Sequence, residues 1–183
     1  MSIQRNRQNR SAHEILVDRI GQEMLRDGRV VWTGLGLRAG LTAGVGEPIR
    51  WKMCRPDVFS IRNTTLASYL EPIVHEIKVS RADLLGDLRC KDKRDSYLDV
   101  GGQCWYVLGC DSKGRPIGQA EDVPAECGVL IAEPDQLHVA RNAAKRTSRD
   151  LPFAIWMALA KAAPLQSGES RGHQEALQEM LSL

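Results

Sequence analysis

Hydrophobic positions change their period several times along the chain, and each change marks an element. In SAHEILVDRIGQEMLRDG, Ile15, Leu16, Val17, Ile20, Met24 and Leu25 form an apolar stripe at helical spacing. Ser11 is placed to cap this helix, Glu14 stands three residues later as in a capping box, and Gly28 can close it. RVVWTG reads as a strand, and a glycine-rich stretch follows it. Gly34, Gly36, Gly40, Gly44 and Gly46 match neither G-x-G-x-x-G nor a G-K-[ST] loop, so a mobile loop is expected rather than a nucleotide cradle. KMCRPDVFSI and PIVHEIKVS are two β-rich runs joined by RNTTLASYLE. RADLLGDLRCKDKRDSYLDVGG returns to helix, with Ser80 as N-cap and Gly101-Gly102 as the stop. Gly86 weakens its middle by about 1 kcal/mol relative to alanine, which allows two shorter helices. QCWYVLGC and GVLIAE are apolar runs of strand length, QLHVARN is a further extended segment, and a helix is expected near LPFAIWMALAKAA. Strands divided by helix, with apolar strands late in the chain, predict an α/β fold: a mixed β-sheet flanked by helices.

Composition changes this picture little. A length of 183 residues suits one domain with a sizeable core, here expected over residues 11–163 between a basic N-terminus (1–10) and a polar tail (164–183). Hydrophobic residues at 43% and charged residues at 26% are ordinary globular values. The net charge of +2 names no partner, since a local basic patch matters more than the total. Cys54, Cys90, Cys104, Cys110 and Cys127 are scattered and never form a C-x-x-C pair, so neither a zinc knuckle nor a disulfide framework follows. No apolar run reaches the roughly 18 residues of a membrane span, and the charged N-terminus has no apolar segment behind it, so a cytoplasmic location is expected.

The chemistry concentrates in VHEIKVS. Side chains at i and i+2 of a strand share a face, so Glu76, Lys78 and Ser80 point one way and Ile77 and Val79 the other. Asp57 begins the preceding β-run. If that strand runs alongside, two carboxylates and an ammonium converge, and such hard oxygen ligands suit Mg²⁺ or Mn²⁺. An ion there would activate a water and offset charge on a phosphate. E-x-K alone is a weak signal, because polar residues alternate on many half-buried strands. His75 faces away from Glu76, as a buried or edge histidine would.

The segments RPDVFSI, VHEIKVSRADLLGDL, KRDSYLD, CWYVL and VPAECGVLIAE together resemble the PD-(D/E)XK phosphodiesterase superfamily and, within it, the MmcB-like DNA repair proteins. The resemblance covers roughly residues 55–163. It implies a restriction-endonuclease-like fold and a metal-dependent nuclease linked to DNA repair, with Asp57 and Glu76 as metal ligands and Lys78 as the catalytic lysine. Lys93 and Tyr97, at i and i+4 of a helix, would face the substrate, lysine standing where some relatives carry glutamine. Ser80 also matches a family position, although an N-cap serine followed by Asp83 is equally natural. An acid on the first helix completes the metal shell in many members; Glu14 is the better candidate and Glu23 the alternative, while Glu14 also fits the capping box. DNA is the implied partner and a homodimer is compatible. The rival reading is a non-catalytic nucleic-acid or protein-binding module on the same fold. A small-molecule enzyme ranks last, for want of any cofactor fingerprint. Arg38, Arg50, Lys52 and Arg55, in or just after the glycine-rich insertion, suit either phosphate contacts or a solvated loop.

Overall fold

The computed structural model describes residues 11–41, 48–145 and 151–166. The basic N-terminus and most of the polar tail anticipated from the sequence lie outside these residues. The elements run α1 (Ala12–Arg26), β1 (Arg29–Thr33), β2 (Leu37–Leu41), β3 (Arg50–Cys54), β4 (Val58–Arg62), β5 (Ile73–Lys78), α2 (Arg81–Leu88), α3 (Lys91–Val100), β6 (Gln103–Leu108), β7 (Gly128–Ala132), β8 (Leu137–Arg141) and α4 (Phe153–Lys161). Short 3₁₀ turns, Ala67–Tyr69 and Ala120–Asp122, occupy two of the connections.

One six-stranded sheet carries the fold, in the order β1-β4-β5-β6-β7-β8. Its centre, β5-β6-β7, is parallel, and the flanking pairs are antiparallel. A parallel centre is buried on both faces, which is why QCWYVL and GVLIA read as continuous apolar runs rather than alternating ones. On one face α1 lays Leu16 and Ile20 against Val31, Val58, Ile77 and Val107. On the other, α2, α3 and α4 contribute Leu84, Tyr97, Leu98, Ile155 and Leu159 to a cluster with Phe59, Val74, Tyr106 and Leu108.

The start of α1 follows its sequence signature. The Ser11 hydroxyl accepts from the Glu14 N–H, the Glu14 carboxylate accepts from the Ser11 N–H, and Gly28 leaves the helix at φ +73°. Three expectations are corrected. Part of the glycine-rich stretch is not loop: Leu37–Leu41 pairs antiparallel with Arg50–Cys54 as a separate two-stranded ribbon; residues 42–47 lie outside the description. KMCRPDVFSI is two strands rather than one run, broken at Arg55-Pro56, where proline cannot donate to a ladder. The long helical segment does divide, but at Arg89-Cys90 and not at Gly86, which lies inside α2.

Candidate functional site

Pro56 sets the position of the first site residue. Asp57 stands just before β4, whose register with β5 pairs Phe59 with Val74 and Val58 with His75. The ladder ends at that pair, and Asp57, the residue before it, reaches β5 just beyond. The contact is made through backbone: Asp57 Oδ2 accepts from the Ile77 N–H at 2.7 Å, while Asp57 Oδ1 lies 3.3 Å from Nε2 of His13 on α1.

On β5, Glu76 and Lys78 share the face covered by α2 and α3, and both are buried, at 3% and 5% exposure. Lys78 Nζ lies 2.9 Å from Glu76 Oε1, and Lys93 Nζ reaches the same oxygen at 2.6 Å. Both ammoniums also meet a third carboxylate, Asp87 of α2. Lys78 is 3.3 Å from its Oδ1, Lys93 donates to the same oxygen, and the Tyr106 hydroxyl donates to its Oδ2 at 2.9 Å. Asp83, one turn before Asp87, approaches Lys78 at 3.5 Å. Lys93 and Tyr97 do share a helix face: the ammonium stands 5.5 Å from the ring centroid, and the Tyr97 hydroxyl donates to the Arg55 carbonyl at 3.2 Å. Glu76 Oε2 is buried and meets no donor at ordinary hydrogen-bond geometry, although the Tyr97 hydroxyl interacts with the Glu76 carboxylate.

The charges stabilise one another. Burial disfavours the Lys78 ammonium, yet Glu76 and Asp87 outweigh it and hold the lysine above its ordinary pKa. Lys93 is raised in the same way, against burial, by hydrogen bonds to Asp87 and Glu76. For Asp87, burial acts upward but the two lysines and Tyr106 bring the carboxyl below its usual range. Tyr97 is pushed up by burial and then by the nearby Glu76 and Asp57, and Tyr106 by burial and Asp87, so both remain neutral hydroxyls.

Not every candidate joins this cluster. The Glu14 carboxylate is exposed and closes the capping box of α1; Glu23 is ion-paired with Arg26 at 2.6 Å. The Ser80 hydroxyl caps α2 by accepting from the Asp83 N–H. Beyond it a cavity of about 480 Å³ is lined by Val79, Ser80, Arg81, Asp111, Arg115, Pro116 and Ile117. His75 is buried on the α1 face, as its strand parity implies, and burial together with Arg29 lowers its pKa to about 3. Asp87, Tyr106 and His13 were not anticipated. The i, i+4 spacing of Asp83 and Asp87 in RADLLGDL was the available signal for Asp87; Tyr106 was hidden inside an apolar run.

Among the described residues no three His, Cys, Asp or Glu side chains converge as a ligand group. Mg²⁺ does not require three, because it binds through one or two carboxylates and completes its shell with water and phosphate oxygens. Asp57, held against the Ile77 N–H, and the buried carboxylate of the adjoining Glu76 supply two carboxylates, the smaller requirement.

No family model and no curated protein matches the chain. A solved structure, the SPO1766 protein of unknown function from Silicibacter pomeroyi, is similar over 90% of this chain and 89% of its own, with a TM-score of 0.51 and 21% identity. At that identity the likeness extends to the fold. The described residues thus define a mixed α/β fold with a buried acid–lysine cluster at the end of its central parallel strands.

Proposed function

We propose that the chain is a metal-dependent DNA phosphodiesterase that uses Mg²⁺ or Mn²⁺. The observation that carries this reading is the buried Glu76 carboxylate beside Lys78, with Asp57 held at the same strand by the N–H of the next residue, Ile77. Asp57 and Glu76 would hold the ion, which supplies Lewis acidity and an activated water. Lys78, kept protonated by Glu76 and Asp87, offers a charged N–H donor to the oxygen charge that develops as water oxygen bonds to phosphorus and the ester P–O bond breaks. Lys93 supplies a second positive charge at the same carboxylate, and the neutral Tyr97 hydroxyl orients the Arg55 carbonyl beside Asp57. A DNA-repair role accompanies this reading through the sequence resemblance, and the scattered, unpaired cysteines suit a reducing, cytoplasmic setting. No helix among the described residues is long and apolar enough to cross a membrane.

The binding-module reading has one observation in its favour: both ammoniums already close on Glu76 Oε1, so the cluster is electrostatically satisfied without an ion. Purified protein should be incubated with single-stranded, nicked, branched and duplex DNA, in Mg²⁺, in Mn²⁺ and in chelator, beside Glu76→Gln and Lys78→Met. Cleavage should require metal and fall by at least about 100-fold in each variant. No cleavage of any substrate, or equal cleavage by the variants, leaves the binding module standing.

A further inference from the structure

Lys78 and Lys93 meet the same carboxylate oxygen but are held very differently. Lys78 rises from the sheet: its side chain is 6% exposed, and its ammonium stands 2.9, 3.5 and 3.3 Å from Glu76, Asp83 and Asp87. Lys93 comes from outside. It lies in the first turn of α3, its side chain is 34% exposed, and its ammonium reaches Glu76 Oε1 at 2.6 Å and also Asp87 Oδ1. A lysine whose stem already borders water can turn its charged end outward on that flexible stem. Lys78 would have to break three contacts inside the core to do the same, so Lys93 is the cation that can leave.

Charge decides what the departure would change. At the buried centre of the cluster two carboxylates, Glu76 and Asp87, stand against two ammoniums, Lys78 and Lys93. Removing Lys93 strands neither acid, because Lys78 still meets both and the Tyr106 hydroxyl still donates to Asp87. What it frees is negative charge. Glu76 is one of the two carboxylates that suit a divalent ion, and Lys93 already neutralises it. A second cation brought to the same carboxylate is repelled, since like charges about 4 Å apart interact strongly even near a protein surface.

We propose that Lys93 is the resident counter-cation of this cluster and competes with the divalent ion for Glu76, so that this one side chain sets how tightly the ion is held. This role rests on the proposed phosphodiesterase, from which the ion's ligands, Asp57 and Glu76, are taken. The ion enters by exchange: Lys78 stays in place, and the Lys93 ammonium turns toward solvent.

Isothermal titration calorimetry of Mn²⁺ into the full-length protein, without DNA and at constant neutral pH, reads occupancy apart from cleavage. Wild type, Lys93→Gln, Lys93→Met and Lys93→Arg are compared after circular dichroism has shown each to be folded, together with a double variant, Lys93→Gln with Glu76→Gln. The two substitutions that remove the charge should tighten Mn²⁺ binding by at least about tenfold, Lys93→Arg should stay within about threefold of wild type, and the double variant should lose the gain. Unchanged affinity in folded Lys93→Gln or Lys93→Met overturns the exchange, as does an equal gain in Lys93→Arg, since charge would then not be its cause. A gain that persists without Glu76, or no Mn²⁺ binding by any of these proteins, overturns it as well. Metal-dependent DNA cleavage by the wild type with no tightening in the Lys93 variants sinks the exchange and spares the phosphodiesterase; Glu76-dependent tightening without cleavage of any DNA does the reverse.

Discussion

His75 is a titratable side chain that the fold holds neutral. With its pKa near 3, below the ordinary 6.5, the unfolded chain takes up a proton as pH falls through 6.5 while the folded chain resists until about 3. Stability is therefore fully present above 6.5 and is lost on acidification, by about 2 kcal/mol at pH 5. Urea denaturation at pH 7.5 and 5 should show this loss in the wild type and a smaller one in His75→Leu; equal losses would remove His75 as the cause. Asp87 behaves in the opposite chemical sense but with the same pH direction. Its lowered pKa stabilises the fold above the ordinary carboxyl range and ceases to do so as pH drops through it. Asp87→Ala leaves two ammoniums partly buried with one carboxylate fewer, and should destabilise the fold by about 3 kcal/mol at neutral pH in the same measurement. A loss below 1 kcal/mol would show that water relieves the lysines. Asp87 also illustrates a limit of reading residues from sequence. Strand parity alone put Glu76 and Lys78 on one face, whereas Asp87 joins them only because α2 folds back over the sheet.

Short local rules served best where a single element obeys a single rule. The Ser11 and Glu14 capping box was legible because its partners are three residues apart, and Ser80 likewise. The ribbon was not legible, since β2 and β3 are joined across residues 42–47 and their pairing is a tertiary fact written over a glycine-rich composition. Gly86 misled in a different way. It does weaken α2, yet the chain breaks where the Cys90 N–H turns back to the Asp87 carbonyl. A Cβ at Gly86 would meet nothing within 4 Å, and the residue is helical. Gly86→Ala should accordingly raise stability by about 0.5–1 kcal/mol, seen as a higher thermal midpoint. A fall would mean that the glycine serves a contact absent from the free chain.

At the scale of the molecule, the parallel pairing of β5 with β6 follows from the helices α2 and α3 between them, and the α/β class was legible for that reason. What the sequence pattern does not reveal is how the edge strand β8 is held. Arg141, at its end, donates to the carbonyls of Ala120, Val123, Pro124 and Cys127, tying the connection before β7 to the sheet edge. Lysine has the charge but not the planar fork of donors. Arg141→Lys should therefore cost about 2 kcal/mol and speed amide exchange across residues 120–127; unchanged exchange would show that the connection is held by its own packing.

The Asp57 carboxylate ties two strands together through the Ile77 N–H, whatever else it does. Its removal orphans a backbone donor at the strand junction, so a dead Asp57→Ala enzyme would not distinguish lost chemistry from a loosened sheet; Asp57→Asn keeps an acceptor there and is the cleaner substitution. The same double duty affects how related chains are to be judged. An aspartate retained at this junction reports on architecture even in a chain that cleaves nothing, and loss of activity is better diagnosed at Glu76 and Lys78.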